Sequence, residues 1–129
     1  MIDHISIGVS DLKASTAFYK EVLAALDYEL RDPRPATSGF GRRGKSHSEF
    51  WLNARPGMEK VPADSGAHIC LRAKSAEAVK AFYEAALRLG AQDDGPPGVR
   101  PVYSDNYFAA FIRDFDGNKI EVVTFVEQI

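Results

Sequence analysis

The sequence predicts an α+β fold made of two copies of one module, in which a strand and a helix are followed by two or three further strands. The first observation is an alternating segment near the amino terminus that leads directly into an amphipathic helix. The second is that the same order of segments returns about 60 residues later, with matching residues at matching positions. The third is that Gly and Pro separate short extended segments after each helix.

The composition describes one ordinary soluble globular domain. The chain has 129 residues, enough for one hydrophobic core, and we expect a single domain whose first module covers about residues 1–60 and whose second covers about residues 61–129. With 45% hydrophobic residues, 26% charged residues and a formal net charge of -2, the chain is not expected to bind nucleic acid or a membrane. Small molecules are the expected partners.

Cysteine usage and the opening segment bear on the cellular compartment. The single cysteine, Cys70, excludes an internal disulfide and any multi-cysteine metal site, which favours a reducing environment. The segment MIDHISIGVSD has no basic region followed by an apolar region, and no apolar run approaches the length of a membrane span. We therefore expect a cytoplasmic protein.

The first strand and helix follow from hydrophobic periodicity. Residues 2–9, IDHISIGV, alternate between an isoleucine and valine face and a face that carries His4, Ser6 and Gly8. Asp11 is a suitable N-cap for the next segment, LKASTAFYKEVLAAL, whose apolar residues recur near helical spacing without Gly or Pro.

The second module repeats this order in AHICLRAKSAEAVKAFYEAALRLG, with Ser75 as the cap of its helix. Residues 17–19 and 81–83 are both Ala-Phe-Tyr, and His4 matches His68, each pair at an offset of 64 residues (81 − 17 and 68 − 4). An internal duplication explains both matches without a gap.

The remaining strands are predicted from turn signals. In the second module YFAAFIRD and NKIEVVTFV flank FDG, which is typical of a hairpin. In the first module SEFWLNA is predicted as the last strand and GRRGKSH as the turn before it.

Residues 39–46, GFGRRGKS, match the written pattern of a phosphate-binding P-loop. A working P-loop needs an apolar strand before it and a helix after it. Here RDPRPATS precedes it with two prolines, and the extended segment HSEFWLNARP follows, so we interpret the stretch as a glycine-rich turn. Its basic cluster, Arg42, Arg43 and Lys45, is either a solvated turn or a contact for phosphate or carboxylate.

Three residues could form a metal site. His4 and His68 occupy equivalent positions that point away from the helices, so both can face one cavity. The period of two places Glu121 opposite the face of Ile120 and Val122, where an isolated carboxylate would be costly. A divalent cation between two imidazoles and one carboxylate would satisfy it and leave open coordination positions. The alternative is a polar cavity that binds an organic ligand without metal.

The segments MIDHISIGVSDLKASTAFYKEVL, AHICLRAKSAEAVKAFYEAAL and NYFAAFIRDFDGNKIEVV together resemble the glyoxalase/bleomycin resistance/dioxygenase family, also called the vicinal oxygen chelate superfamily, over nearly the whole chain. The resemblance implies two βαβββ modules whose curved mixed sheets line a cleft around one divalent ion, which would be Fe, Mn, Ni, Zn or Mg. It also implies that His4, His68 and Glu121 are the metal ligands.

One departure from the family concerns the fourth strand. Members that resemble glyoxalase I supply a fourth ligand from that strand, usually a glutamate, and here Trp51 takes the position, with Glu49 two residues earlier on the same face. Strict glyoxalase I activity is therefore not expected, because the obvious general base is missing, and no catalytic residue is assigned. The ligand set is more similar to that of extradiol dioxygenases or fosfomycin-modifying thiol transferases.

The resemblance implies a metal-dependent enzyme of lyase, isomerase or dioxygenase type that acts on an oxygen-bearing small molecule. The alternative is a metal-free small-molecule or antibiotic-binding protein similar to bleomycin-resistance proteins. Substrate contacts are expected from Trp51, Tyr103, Tyr107 and Phe111. A homodimer is expected because this family often pairs exposed sheet edges between chains.

Overall fold

The computed structural model, which describes residues 1–126, contains two helices and eight strands. The first module comprises β1 (Ile5–Val9), α1 (Leu12–Ala24), β2 (Tyr28–Pro33), β3 (Thr37–Arg42) and β4 (Phe50–Ala54). The second comprises β5 (Ile69–Arg72), α2 (Ala76–Arg88), β6 (Gln92–Val99), β7 (Tyr107–Arg113) and β8 (Lys119–Phe125). The predicted α+β fold of two βαβββ modules is confirmed.

Each module forms its own mixed sheet of four strands. The strand orders are β1-β4-β3-β2 and β5-β8-β7-β6, so the first and last strands of each module lie side by side. These two pair in parallel, for instance through Ile7 and Leu52 in the first sheet and through Cys70 and Glu121 in the second. The other pairs are antiparallel, and this topology places residues from the start and the end of each module next to each other.

The two helices are equivalent in length and in capping. Each has 13 residues, and α2 begins 64 residues after α1 (76 − 12), the offset seen in the sequence. The side chain of Asp11 accepts a hydrogen bond from the Ala14 backbone N–H at 3.0 Å, and that of Ser75 accepts one from Ala78 at 3.1 Å. Within residues 1–126, neither helix has the length and apolar character needed to cross a bilayer.

Both modules contribute to one hydrophobic core. It lies between the helices and one face of each sheet. The ring centres of Phe18 in the first module and Phe115 in the second are 4.9 Å apart. The largest fully buried side chains are those of Tyr19, Phe40, Phe50, Phe82, Leu23, Leu52, Ile112 and Ile120. Because the helices cover one face of each sheet, the opposite faces are left for the polar residues of the candidate sites.

The turn between β7 and β8, in the segment DFDGN, joins the second module to the first. The Tyr19 hydroxyl donates to Asp114 Oδ2 at 2.7 Å, and Asn118 Nδ2 donates to the Gly8 carbonyl at 3.0 Å. Burial raises the pKa of the Asp114 carboxyl, while the hydrogen bond from Tyr19 opposes that shift. The motif therefore has a structural role in fixing the two modules together.

Residues 39–46, which match the written pattern of a P-loop and are called the P-loop look-alike below, are part strand and part turn. The interpretation as a turn is wrong for residues 39–42, which complete β3, and right for the bend that follows, where Gly44 has φ 83°. The next element is β4, antiparallel to β3, so no helix follows the glycines to hold a phosphate.

Candidate functional site

The open face of the second sheet carries the acidic residue predicted from the alternation in β8. Ile120 and Val122 are fully buried in the core, whereas Glu121 points to the opposite face. Its neighbours in register are Phe111 on β7 and Cys70 on β5. The period of two along one strand thus predicted the orientation of this carboxylate correctly.

The carboxylate of Glu121 is 3% exposed and is held by two side chains. The Tyr107 hydroxyl donates to Oε2 at 2.5 Å, and His68 Nε2 lies 3.0 Å from Oε1. Among residues 1–126 no lysine or arginine forms an ion pair with this carboxylate. A buried carboxylate without a permanent positive partner favours either a cation or a protonated neighbour beside it.

The two protic side chains next to Glu121 keep their protons at neutral pH. Burial, reinforced by the charge of Glu121, raises the pKa of the Cys70 thiol to about 12. Burial and the hydrogen bond to Glu121 raise the pKa of the Tyr107 phenol well above its ordinary value. Neither group supplies a thiolate or phenolate, so both act here as donors or neutral walls.

The third predicted ligand, His4, has another partner. It lies one residue before β1, and its Nδ1 is 2.6 Å from Asp3 Oδ2, which His47 Nε2 also contacts at 2.9 Å. The hydrogen bonds from His4 and His47 lower the pKa of the Asp3 carboxyl. Nothing along the chain indicates that His47 returns to the start of β1, so this cluster could not be predicted from the sequence.

His4 and His68 nevertheless line one open cavity of about 370 Å³, together with Glu49. The Glu49 carboxylate accepts a hydrogen bond from the Tyr28 hydroxyl at 3.0 Å. The cavity is thus lined by both histidines and by Glu49, the acidic residue two positions before Trp51.

A divalent ion fits this donor set only in part. His68 and Glu121 have the right donor types at the right separation for two ligands of one ion. Within residues 1–126, however, no three His, Cys, Asp or Glu side chains lie close enough together to hold a metal. His4 is on the wall of the same cavity but does not join the pair.

Trp51 borders a different cavity, on the open face of the first sheet. This cavity has a volume of about 470 Å³, and most of its lining residues are polar. The guanidinium carbon of Arg34 lies 4.8 Å from the centre of the Trp51 ring, and Ser48 donates to Asp32 at 2.5 Å nearby. The ring rests on Gly39, where a side-chain carbon would come within 2.8 Å of it. Asp32 lies on β2 and Arg34 in the turn that follows it, and no sequence pattern indicated that either residue would lie near Trp51.

The other predicted substrate contacts surround the His68 and Glu121 pair. The Tyr103 side chain is 62% exposed, and its ring lies 5.0 Å from that of Tyr107. The centre of the Phe111 ring lies 6.3 Å from the centre of the His68 ring. Lys119 Nζ lies over the Phe111 ring, 5.0 Å from its centre. Tyr107 and Phe111 therefore lie on the second sheet and Tyr103 lies in the turn before β7, while Trp51 lies on the first sheet. Their contact with a substrate stays a prediction.

Comparisons with known proteins agree on one family. The sequence model described as Glyoxalase/Bleomycin resistance protein/Dioxygenase superfamily matches residues 1–122. A glyoxalase/bleomycin resistance protein from Albidiferax ferrireducens T118 is 26% identical and has a TM-score of 0.79, with 94% of this chain and 96% of that chain covered. No curated protein matches the sequence significantly.

A second solved structure of the same fold is the fosfomycin resistance protein FosX from Listeria monocytogenes. It is 20% identical with a TM-score of 0.69, and the match covers 98% of this chain and 93% of FosX. A mutant of FosX, matched at a TM-score of 0.68, was crystallised with Mn(II) and 1S,2S-dihydroxypropylphosphonic acid. At this identity the likeness shows a shared fold.

Proposed function

Because this chain belongs to the glyoxalase/bleomycin resistance protein/dioxygenase superfamily, we propose that it is a metal-dependent enzyme acting on an oxygen-bearing small molecule. The site is centred on His68 and Glu121, and the reaction is of lyase, isomerase or dioxygenase type. One observation carries the proposal: the Glu121 carboxylate is 3% exposed, and its only charge-compensating neighbour among the described residues is a histidine at 3.0 Å.

The electrostatics around Glu121 support a bound cation. Tyr107 and Cys70 keep their protons and are therefore neutral, so neither offsets the negative charge of the carboxylate. His68 is 44% exposed and opens onto the cavity, so an ion bound beside it is accessible to a small molecule. When bound, a divalent ion supplies Lewis acidity that polarises an oxygen of the substrate.

The chain's own residues then bind and orient the substrate. Tyr107 holds Glu121 in place through its hydroxyl, while Phe111 and the exposed Tyr103 provide apolar surface beside the histidine. In this proposal His4 would be the third ligand, since it lines the same cavity as His68.

Metal binding tests the proposal directly. Mn(II) is the first ion to titrate, since a mutant of FosX, which shares this fold, was crystallised with it. We expect one ion per chain by calorimetry and elemental analysis, with affinity lowered at least about 100-fold in His68→Ala and in Glu121→Gln. His4→Ala should weaken binding as well.

His47→Ala is the matched control, because this exposed histidine contacts Asp3 but not Glu121. Its metal affinity should fall far less than that of His68→Ala, since His47 reaches the site only through Asp3. The enzyme proposal fails if the protein holds no divalent ion at any occupancy after reconstitution with Fe, Mn, Ni, Zn and Mg.

A metal-free binding protein is the second candidate, and the Trp51 cavity favours it. Its volume of about 470 Å³ suits a small organic ligand, and the stacked Arg34 and Trp51 pair offers a planar surface with a positive edge. Aromatic carboxylates titrated in the presence of EDTA should then quench the fluorescence of Trp51, the single tryptophan. Ligand binding that requires added metal would exclude this candidate.

The proposal includes a homodimer in the cytoplasm. Apolar side chains are exposed on the second module, with Val102 at 86%, Phe125 at 42% and Val99 at 44%. The free thiol of Cys70 suits a reducing compartment. Sedimentation velocity should show a dimer that Val102→Asp weakens, and a monomer at all concentrations would contradict the assembly.

A further inference from the structure

A cavity of about 730 Å³ lies where the two modules meet, and it shares no lining residue with the cavity of His4 and His68. The end of β3 and the turn after it form one wall, and the end of β5 with the residues after it forms the other. The arginines of the P-loop look-alike are therefore part of this wall. This cavity is separate from the site of the proposed function.

Four cationic side chains from both modules converge on this cavity: Arg42, Arg43, Arg72 and Lys74. One carboxylate, Asp27, lines it and lies 2.7 Å from Lys74 Nζ. Four cations against one carboxylate leave a surplus of three positive charges at one place, in a chain whose formal net charge is -2. Such a local surplus attracts a multiply charged anion.

The arginines of the cavity are available to a ligand. Within residues 1–126, no carboxylate forms an ion pair with Arg42, Arg43 or Arg72. The guanidinium carbon of Arg72 lies 4.7 Å from the centre of the Phe125 ring, which orients its planar donors. The hydrogen bond from Lys74, helped by the charges of Arg43 and Arg42, lowers the pKa of the Asp27 carboxyl.

The backbone fixes the positions of these residues before any ligand binds. Arg42 pairs with Tyr28 in the sheet, and the Arg43 backbone N–H donates to the Asp27 carbonyl at 2.7 Å. Asp27 itself has φ 62°, a left-handed conformation that a residue other than glycine adopts rarely. The turn that carries the arginines is thus tied to the end of α1, so less ordering is needed on binding.

Apolar residues line the cavity beside the cationic ones. Leu26 and Ala73 are buried at 8% and 3% exposure, and the Phe125 ring is 42% exposed beside Arg72. A ligand that combines an anionic group with a small apolar or planar body would match both parts. The volume is within the range of small-molecule sites in proteins.

We infer that this cavity between the modules binds a phosphate-bearing small molecule. A phosphate group carries up to two negative charges and accepts paired hydrogen bonds from planar guanidinium groups, which suits three arginines and a surplus of positive charge. Recognition here uses side-chain guanidinium groups of the GFGRRGKS stretch, in place of the backbone N–H groups of a P-loop. The inference does not depend on metal binding or on catalysis.

Calorimetry with inorganic pyrophosphate, in EDTA and at low salt, tests the inference on the intact chain. We expect saturable 1:1 binding to the wild type, weakened at least tenfold in Arg42→Gln/Arg72→Gln and weakened further by added salt. Arg43→Gln/Lys74→Gln should give a similar loss and serves if the first variant does not fold. His68→Ala should bind like the wild type.

Arg55→Gln/Arg88→Gln is the matched control, since it removes the same charge from two exposed arginines outside the cavity. Its pyrophosphate affinity should stay within about twofold of the wild type. The inference is overturned by the absence of saturable binding, by an equal loss in the control, or by tighter binding of malonate than of pyrophosphate.

Discussion

At the scale of single residues, the hydrogen bond from Tyr107 stabilises the buried carboxylate of Glu121 on the open face of the second sheet. Glu121 is 3% exposed, so each donor replaces water that the carboxylate has lost. The partner of Tyr107 is a carboxylate, and hydrogen bonds to charged groups contribute more to stability than hydrogen bonds between neutral groups.

Replacing Tyr107 by Phe should therefore lower the free energy of unfolding by about 1.5–3 kcal/mol, because Glu121 keeps one donor in place of two. Tyr103→Phe is the control, since that side chain is 62% exposed and packs beside Tyr107. It should cost less than about 0.5 kcal/mol. Urea unfolding of both variants measures the difference, and equal losses would show that the hydroxyl of Tyr107 contributes little.

The sequence predicted the orientation of Glu121 and missed the pairing of His4. The first depends only on alternation along one strand, which places Ile120 and Val122 in the core. The second depends on the loop after β3, which brings His47 to Asp3 and so gives His4 a competing environment. Local periodicity contains no information about such contacts between distant segments.

At the scale of elements, the helices were easier to predict than the edge strands. Both helices have a cap and an apolar stripe free of Gly and Pro. By contrast β6, QDDGPPGV, contains two prolines and two glycines, and its pairing with β7 shifts register near Gly95. A strand of this kind is tolerated at a sheet edge, where unpaired backbone groups can face water. Its composition predicts a loop, so only the family resemblance implied a third strand after α2.

The hairpin between β7 and β8 provides a test at this scale. Gly117 and Gly44 both have φ 83°, but a side-chain carbon at Gly117 would lie 2.7 Å from the Val61 carbonyl oxygen, whereas Gly44 has open space around it. Both alanine variants pay about 1–2 kcal/mol for the left-handed backbone, and Gly117→Ala must also displace the segment of Val61.

We therefore expect Gly117→Ala to lower the melting temperature clearly more than Gly44→Ala, as measured by calorimetry. Similar shifts for the two variants would mean that the segment around Val61 yields at little cost, and that this contact does not hold it against the hairpin.

At the scale of the whole molecule, Tyr19 and Asp114 connect the two modules through a buried hydrogen bond of 2.7 Å. Burial raises the pKa of Asp114 above its ordinary value of 3.8, so the folded state binds this proton more tightly than the unfolded state. The stability from this group is fully present below pH 3.8 and is lost as the pH rises through the raised value. The Tyr19 hydroxyl limits that loss, because its hydrogen bond stabilises the ionised form.

Tyr19→Phe should accordingly cost about 1.5–3 kcal/mol at a pH above the raised pKa, where Asp114 is ionised, and less at a pH below 3.8, where it carries a proton. Tyr28→Phe is the control, since its hydroxyl donates to the half-buried Glu49 within the first module. Urea unfolding at both pH values measures the effect. A cost for Tyr19→Phe that does not change with pH would contradict the role of Asp114.

The common core has a consequence for the ancestry of the chain. Phe18 of the first module and Phe115 of the second are neighbours in that core, so a chain of one module alone would expose these rings to water. The duplication aligns without a gap, from His4 and His68 to the helices. A half-length precursor would thus have needed a second copy of itself to bury its apolar surface, and the present chain corresponds to that pair with its two subunits joined into one polypeptide.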